Sequence, residues 1–273
     1  MSAQVLLVGH YCHDRLQRAE GERHTLGGSA AYVSRVLAAA GVEHKVAGLV
    51  GEDFRYAHEV LHPAQVQGPH TTEFVARFDG EARTLTLGHV APPVSAAQVR
   101  ALGSAPLGLA CGIAGEVLPE ALEALLGACE RVLVDAQALV RERGPAGEVR
   151  QRRLEGTAYA PLLARVHVLK ASEEEAALLD LERLRARSCV VVTRGERGCT
   201  VLEGTAVHEV AAPRVQAVDP TGAGDCFLAG FALGLLRGLP PRACAELACR
   251  FGAQAVTQVG VPRLDAAAVQ RLL

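Results

Sequence analysis

Short apolar runs of strand length alternate with stretches of helical period along most of this chain, and that alternation restricts the fold more than any other feature. Val5-Leu6-Leu7-Val8, Val132-Leu133-Val134-Asp135, residues 166–169 and Cys189-Val190-Val191-Val192-Thr193 read as buried strands. Helical patterns cover residues 29–40 with Gly41 as the stop, 119–130, 173–180, 225–236 and 241–257. Such alternation predicts an α/β fold, a mostly parallel central sheet with helices on both faces. Residues 45–50 read as one further strand. The rhythm breaks between residues 52 and 93, where 72–78 and 83–87 alternate around Asp79-Gly80, a hairpin turn dipeptide. Residues 16–25 and 72–87 are expected to form a small β flap on a single domain spanning residues 1–273.

At 273 residues the chain is long enough for a sizeable core, and 49% hydrophobic residues exclude disorder as its main state. Its 28 Lys plus Arg against 30 Asp plus Glu leave a formal charge of -2, so neither nucleic acid nor an anionic membrane is an expected partner. The longest apolar run, residues 227–236, stops at Arg237 and is too short to span a bilayer. Residues 1–9 carry no basic n-region or cleavage signal, and a cytoplasmic protein is expected. The 8 cysteines form no C-x-x-C pair and read as reduced thiols packed as small hydrophobes.

The sharpest chemical signal is Asp219-Pro220-Thr221-Gly222-Ala223-Gly224-Asp225, directly before an apolar helix. Small residues at a helix start leave backbone N–H groups open, and the helix dipole turns them into an anion hole. Asp225 taken alone could be an N-terminal cap. Capping leaves the glycines and the second carboxylate unexplained, whereas hydroxyl-to-phosphate transfer needs a base beside donors for phosphoryl oxygens. No G-x-x-x-x-G-K-[ST] occurs, which excludes a P-loop enzyme. His58-Glu59-Val60-Leu61-His62 matches the zinc metalloprotease pattern and offers a zinc hydrolase as the alternative of another class. Pro63 counts against it by biasing His62 out of helical geometry.

Together with Gly27-Gly28, Val50-Gly51-Glu52-Asp53-Phe54, Val192-Thr193-Arg194-Gly195 and Gly198, this signature resembles the ribokinase-like (PfkB) carbohydrate kinases over nearly the whole chain. Gly9-His10-Tyr11-Cys12-His13-Asp14, His62-Pro63, Asp135-Ala136-Gln137-Ala138-Leu139 and Leu169-Lys170-Ala171-Ser172 are most similar to the plant myo-inositol 3-kinases. The resemblance implies a ribokinase-like fold and ATP-dependent transfer of the γ-phosphoryl group to a hydroxyl of a small polyol, first of all myo-inositol. Another sugar or a nucleoside is the alternative acceptor, and a silent ligand sensor is disfavoured by the intact Asp225. A monomer or homodimer with small-molecule partners is expected.

Carried onto this sequence, the resemblance makes Asp225 the general base, with Gly222, Ala223 and Gly224 as donors to the transferring phosphate. Asp14 is the carboxylate that accepts from two substrate hydroxyls, and Gly27 and Gly28 let the backbone approach the substrate. Tyr32 stands where the family usually has a sugar-contacting Asn. Tyr32 and Glu116, in Gly115-Glu116-Val117-Leu118, are further substrate candidates. Thr193, Gly195 and Gly198 match a turn facing the ATP ribose and phosphates, Gly222 and Gly224 serve the phosphates, and residues 251–257 match the helix beside the adenine. Glu175 keeps the carboxylate of the family's Asn-x-x-Glu motif, so Mg2+ is expected through water, while Ser172 replaces the amide. A Glu-rich helix start favoured by the dipole is compatible with that role. Asp219 and Thr221 match ligands of an activating monovalent cation such as K+. The family's usual helix after Phe54 is expected to be missing.

Overall fold

The computed structural model describes residues 3–19, 21–79 and 82–273, so the glycine of the expected Asp79-Gly80 turn lies outside the described residues. Strand β1 (Val5–Val8) precedes the antiparallel pair β2 (Cys12–Arg18) and β3 (Gly21–Gly27), then α1 (Ser29–Ala39) and β4 (His44–Ala47). Short β5 (Leu49–Val50) and β6 (Gln65–Val66) pair in parallel before the hairpin β7 (Glu73–Asp79) and β8 (Ala82–Leu87). Next come α2 (Ala96–Ala101), β9 (Ala105–Ala110), α3 (Pro119–Ala128), β10 (Cys129–Asp135) and α4 (Gln137–Val140). The antiparallel pair β11 (Arg141–Arg143) and β12 (Val149–Gln151) leads to α5 (Ala160–Leu163) and β13 (Val168–Ser172). Helices α6 (Glu173–Ala176) and α7 (Leu181–Arg185) precede β14 (Cys189–Thr193), β15 (Cys199–Glu203) and β16 (Ala206–Val210). Helices α8 (Ala223–Leu236), α9 (Pro241–Ala255) and α10 (Ala266–Leu272) follow.

Eight strands form the main sheet in the order β16-β15-β14-β13-β10-β9-β1-β4. From β14 to β4 all neighbours are parallel, and β15 and β16 extend one edge antiparallel. The strand period of two splits β1 between two apolar layers. Val5 and Leu7 pack with residues of α1, α8 and α9, while Leu6 and Val8 pack with residues of α3. Burial on both faces is why these strands read as unbroken apolar runs.

Helix α8 is buried from Cys226 through Leu235, as an all-round apolar helix must be. Gly230 and Gly234 let α9 approach it closely. A Cβ on Gly230 would lie 2.8 Å from Phe251 Cδ2, and one on Gly234 would lie 2.9 Å from Cys244 Cα. This packing holds the N-terminal end of α8 at the C-terminal edge of the parallel strands.

A second sheet, ordered β3-β2-β7-β8, is the expected flap. It is wider than the sequence suggests, running from Cys12 to Gly27, because β2 starts soon after β1 ends. Other expectations change too. The strand expected over 45–50 is split at Gly48, where a Cβ would press on the Gly9 carbonyl. The helix expected over 173–180 is only α6, ending at Ala176, and a separate helix unread in the sequence, α7, begins at Leu181, where Asp180 caps it by accepting from Arg183 N–H at 3.1 Å. Between α1 and α2 the described residues contain no helix, in line with the missing element after Phe54. Residues 58–62 are likewise not helical, and His62 packs edge-on to His44 at 4.2 Å. No group of three or more His, Cys, Asp or Glu among the described residues is placed to hold a metal, and the zinc reading falls. Among the described residues no helix is long and apolar enough to cross a membrane.

Candidate active site

A cavity of about 250 Å³ opens between the flap and the C-terminal edge of the main sheet. The Asp219–Asp225 segment forms one wall. Gly222 is the N-cap of α8 at φ 78°, a left-handed conformation that suits glycine, and a Cβ there would also collide with the Tyr32 ring. The first N–H groups of a helix have no intrahelical acceptor. Ala223 N–H reaches Pro220 O at 3.3 Å, while no acceptor among the described residues takes the N–H of Gly224 or Asp225. Asp225 lines the cavity, and its pKa is pushed up to about 6 by burial first and by the neighbouring Asp135 carboxylate second. The Ser29 hydroxyl and the Lys170 and Arg141 cations oppose that rise. A carboxyl so poised can exchange a proton near neutral pH.

The opposite wall comes from the flap. Asp14 on β2 lines the cavity and accepts from the Cys12 thiol at 3.3 Å. A Cβ on Gly27 would collide with the Asp14 carboxylate, so Gly27 makes room for that side chain rather than for substrate. Gly28, at φ 92°, does line the cavity, and a Cβ on it would strike the His10 carbonyl. Ser29 and Tyr32 line the cavity at 1% exposure each, and neither hydroxyl makes a hydrogen bond of ordinary geometry. An unsatisfied buried hydroxyl costs about 1–3 kcal/mol, so both mark positions a polar ligand would match.

Several expected site residues have other duties. Glu116 is 2% exposed and does not line the cavity. Its carboxylate accepts from the N–H groups of Ile113 at 2.8 Å, Ala114 at 2.7 Å and His10 at 3.2 Å, so it organises the loop after β9 and has no acceptor capacity turned toward substrate. Phe251, expected beside an adenine, is 1% exposed and packed in the core against α8. Glu175 closes a capping box: it accepts from Ser172 N–H at 2.8 Å, and its own N–H donates to Ser172 Oγ at 3.2 Å. Asp219 accepts from Thr221 N–H at 3.0 Å and Gly260 N–H at 3.4 Å, bracing the loop whose Thr221 reaches the cavity. Thr193 ends β14 in register with Ser172, and Gly195 and Gly198 bound the turn to β15. These three lie on the same sheet edge but outside the cavity lining.

The sequence reading missed a charged floor. Lys170 Nζ donates to Asp135 Oδ2 at 2.8 Å, with both side chains nearly buried, and both residues line the cavity beside Gln137 and Arg141. The signal was present as strings within the resemblance. Only the register of β10 with β13, which sets Asp135 opposite Lys170, turns them into a pair.

The family model described as pfkB family carbohydrate kinase matches residues 113–265. This chain belongs to that family. It is 48% identical to an inositol 3-kinase of Oryza sativa subsp. japonica, across 95% of this chain and 70% of that protein. Identity to an inositol 3-kinase of Arabidopsis thaliana is 38%, across 98% and 78%. Among solved structures, a pyrophosphate-dependent kinase of the ribokinase family, complexed with a pyrophosphate analog and myo-inositol, superposes with a TM-score of 0.80 at 17% identity, covering 98% of this chain and 99% of that one. As a pfkB-family carbohydrate kinase with a ribokinase-like fold, the chain is a phosphotransferase with an alcohol group as acceptor.

Proposed function

We propose that this pfkB-family kinase transfers the γ-phosphoryl group of ATP to a hydroxyl of myo-inositol. One observation carries the site assignment: Asp225 and the start of α8, with its open N–H groups, line the same small cavity as Asp14 and the buried Ser29 and Tyr32. The 38–48% identity to inositol 3-kinases supports the acceptor. The cavity is smaller than the roughly 300–1,000 Å³ typical of drug-sized ligands, which suits a single small ring.

In this reading Asp225 takes the proton of the attacking hydroxyl, and the backbone of Gly222, Ala223 and Gly224 receives the negative oxygens of the phosphoryl group. A cyclitol has neither ring oxygen nor anomeric carbon, so recognition rests on hydroxyl groups. Asp14 accepts from two of them, and Ser29 and Tyr32 pair with others. Gly28 keeps the backbone close to the ring. The ATP ribose and phosphates run along the sheet edge past Thr193, Gly195 and Gly198.

The donor set fits a hydrated Mg2+ carried by the nucleotide phosphates rather than a protein cage, since one Glu175 oxygen is spent on the cap and the other can accept from water. When bound, that ion would neutralise phosphate charge. Asp219 and Thr221 are the candidates for a monovalent cation such as K+, with the Asp219 carboxylate shared between that duty and its two backbone donors.

Initial-rate assays with ATP and a panel of myo-inositol, ribose, fructose and adenosine test the acceptor. Myo-inositol should have the highest kcat/KM, and Asp14→Ala should lose most of that activity while still binding ATP. A higher kcat/KM for ribose or adenosine would overturn the inositol assignment.

A further inference from the structure

The chain contains only two lysines, Lys45 and Lys170, and the second lies buried beneath the start of α8. Leu133 and Val168 belong to the apolar layer under that helix. Asp135 and Lys170, two residues further along each strand, point the same way. A Cβ on Gly224 would sit 2.8 Å from Lys170 Nζ, so the ammonium lies against the first turn of α8. Burial alone would push the lysine pKa down, but the Asp135, Glu175 and Asp225 carboxylates outweigh it and raise the value, keeping the charge.

Stability does not account for such a pair. Two apolar side chains of similar volume generally serve a core as well as a buried ion pair does, or better. An ammonium has three donors, and Asp135 is its one hydrogen-bond partner among the described residues. The remaining donors sit where Gly224 and Asp225 also present N–H groups without acceptors. Lys170, Gly224 and Asp225, with donors still unspent, lie together on one wall of the cavity, which suits a multiply charged anion.

We propose that Lys170 is a further catalytic residue, donating to a non-bridging oxygen of the transferring phosphoryl group, and that Asp135 is the positioning residue that holds it there. The proposal rests on the kinase site read above. In the step, the acceptor oxygen forms a bond to the γ-phosphorus and its proton passes to Asp225. The bond from that phosphorus to the bridging oxygen breaks, and its electron pair leaves with ADP. Lys170 keeps its proton throughout and stabilises charge only.

Asp135 also sets one negative charge beside Asp225. The other charged groups on this cavity are Lys170 from β13, Arg141 from β11 and Asp14 from β2. The thiols of Cys12 and Cys111 and the Tyr32 phenol also feel Asp225, but burial holds them neutral at working pH. Removing the Asp135 charge makes Asp225 easier to ionise, and removing the Lys170 charge makes it harder.

The test uses the full chain, Mg2+, ATP and the best acceptor of the panel, with Lys170→Met, Lys170→Arg, Asp135→Asn and the double variant Lys170→Met/Asp135→Asn. Lys170→Met should lower kcat by roughly 10²–10³, the usual worth of one such donor, and Lys170→Arg should recover part of it. The double variant removes both partners of the buried pair together, so it should melt above the single Lys170→Met variant and yet stay as inactive. Asp135→Asn should move the acid limb of kcat/KM to lower pH, and Lys170→Met should move it higher. A folded double variant with near wild-type kcat, or acid limbs that do not move, overturns the proposal. If only Asp225→Asn is inactive, the Lys170 proposal alone fails; if Asp225→Asn also turns over normally, the reading of the site fails with it.

Discussion

Asp225 destabilises the fold it serves. Its carboxyl titrates near 6 in the folded chain against an ordinary 3.8, because burial and Asp135 disfavour the charge. As pH rises from about 4 to 6 the unfolded chain ionises this group first, so stability is lost across that window and stays lower above it. Asp225→Asn is therefore expected to melt above wild type at pH 7.5, by on the order of 1–3 kcal/mol at about 1.4 kcal/mol per pKa unit. The gap should close below pH 3.8, where both side chains are neutral. Thermal melts at the two pH values check this, and an equal gap at both would remove the charge as its cause. Asp225, Gly222 and Gly224 could be read from the sequence because a helix start is a local feature. Lys170 and Asp135 could not, since 35 residues separate them and strand register alone joins them. Glu116 looked like a free acceptor because nothing near it in sequence reveals the His10 N–H arriving from the loop after β1.

At the scale of elements, length decided what the sequence could predict. The long helices α1 and α9 repeat their apolar face, and α8 runs apolar throughout, for long enough to fix their ends within about two residues. The short α6 and α7 do not, so the helix read over 173–180 proves to end at Ala176 and the next one, capped by Asp180, went unread. Strand β16 went unread because it lies at the sheet edge with most of its residues exposed, so it lacks a continuous apolar run. The start of α6 also supplies a clean test of Mg2+ binding. Gln completes a capping box as Glu does, so Glu175→Gln removes charge while sparing the helix start. That variant should need several-fold more Mg2+ for half-maximal rate, with an unchanged melting temperature. An unchanged Mg2+ titration would assign Glu175 to capping alone.

For the whole molecule, the arrangement of two sheets around one cavity matters most. Asp14 stands on the flap and Asp225 on the helix docked to the main sheet, so the proposed site draws on both sheets. The alternation of strands and helices announced the main sheet, and the polar hairpin announced the flap. Strand order and the meeting of the two sheets depend on contacts far apart in sequence and could not be read from it. Phe74 and Leu85 bring apolar surface from the flap to the cavity, and in the proposed reading they would keep water from the reacting phosphate. Phe74→Ser is expected to raise ATP hydrolysis without acceptor severalfold relative to phosphoryl transfer. A phosphate-release assay with and without polyol measures that ratio, and an unchanged ratio would assign Phe74 to packing only.

In the proposed reading, phosphoryl transfer to an alcohol takes place at Asp225. Its most direct test is the turnover of Asp225→Asn at saturating ATP, Mg2+ and myo-inositol, with ATP affinity measured on the same sample. The kcat should fall by roughly 10²–10⁴, the usual worth of a positioned base, with ATP binding within a few-fold of wild type. Turnover near the wild-type rate in a variant that binds ATP normally would contradict it.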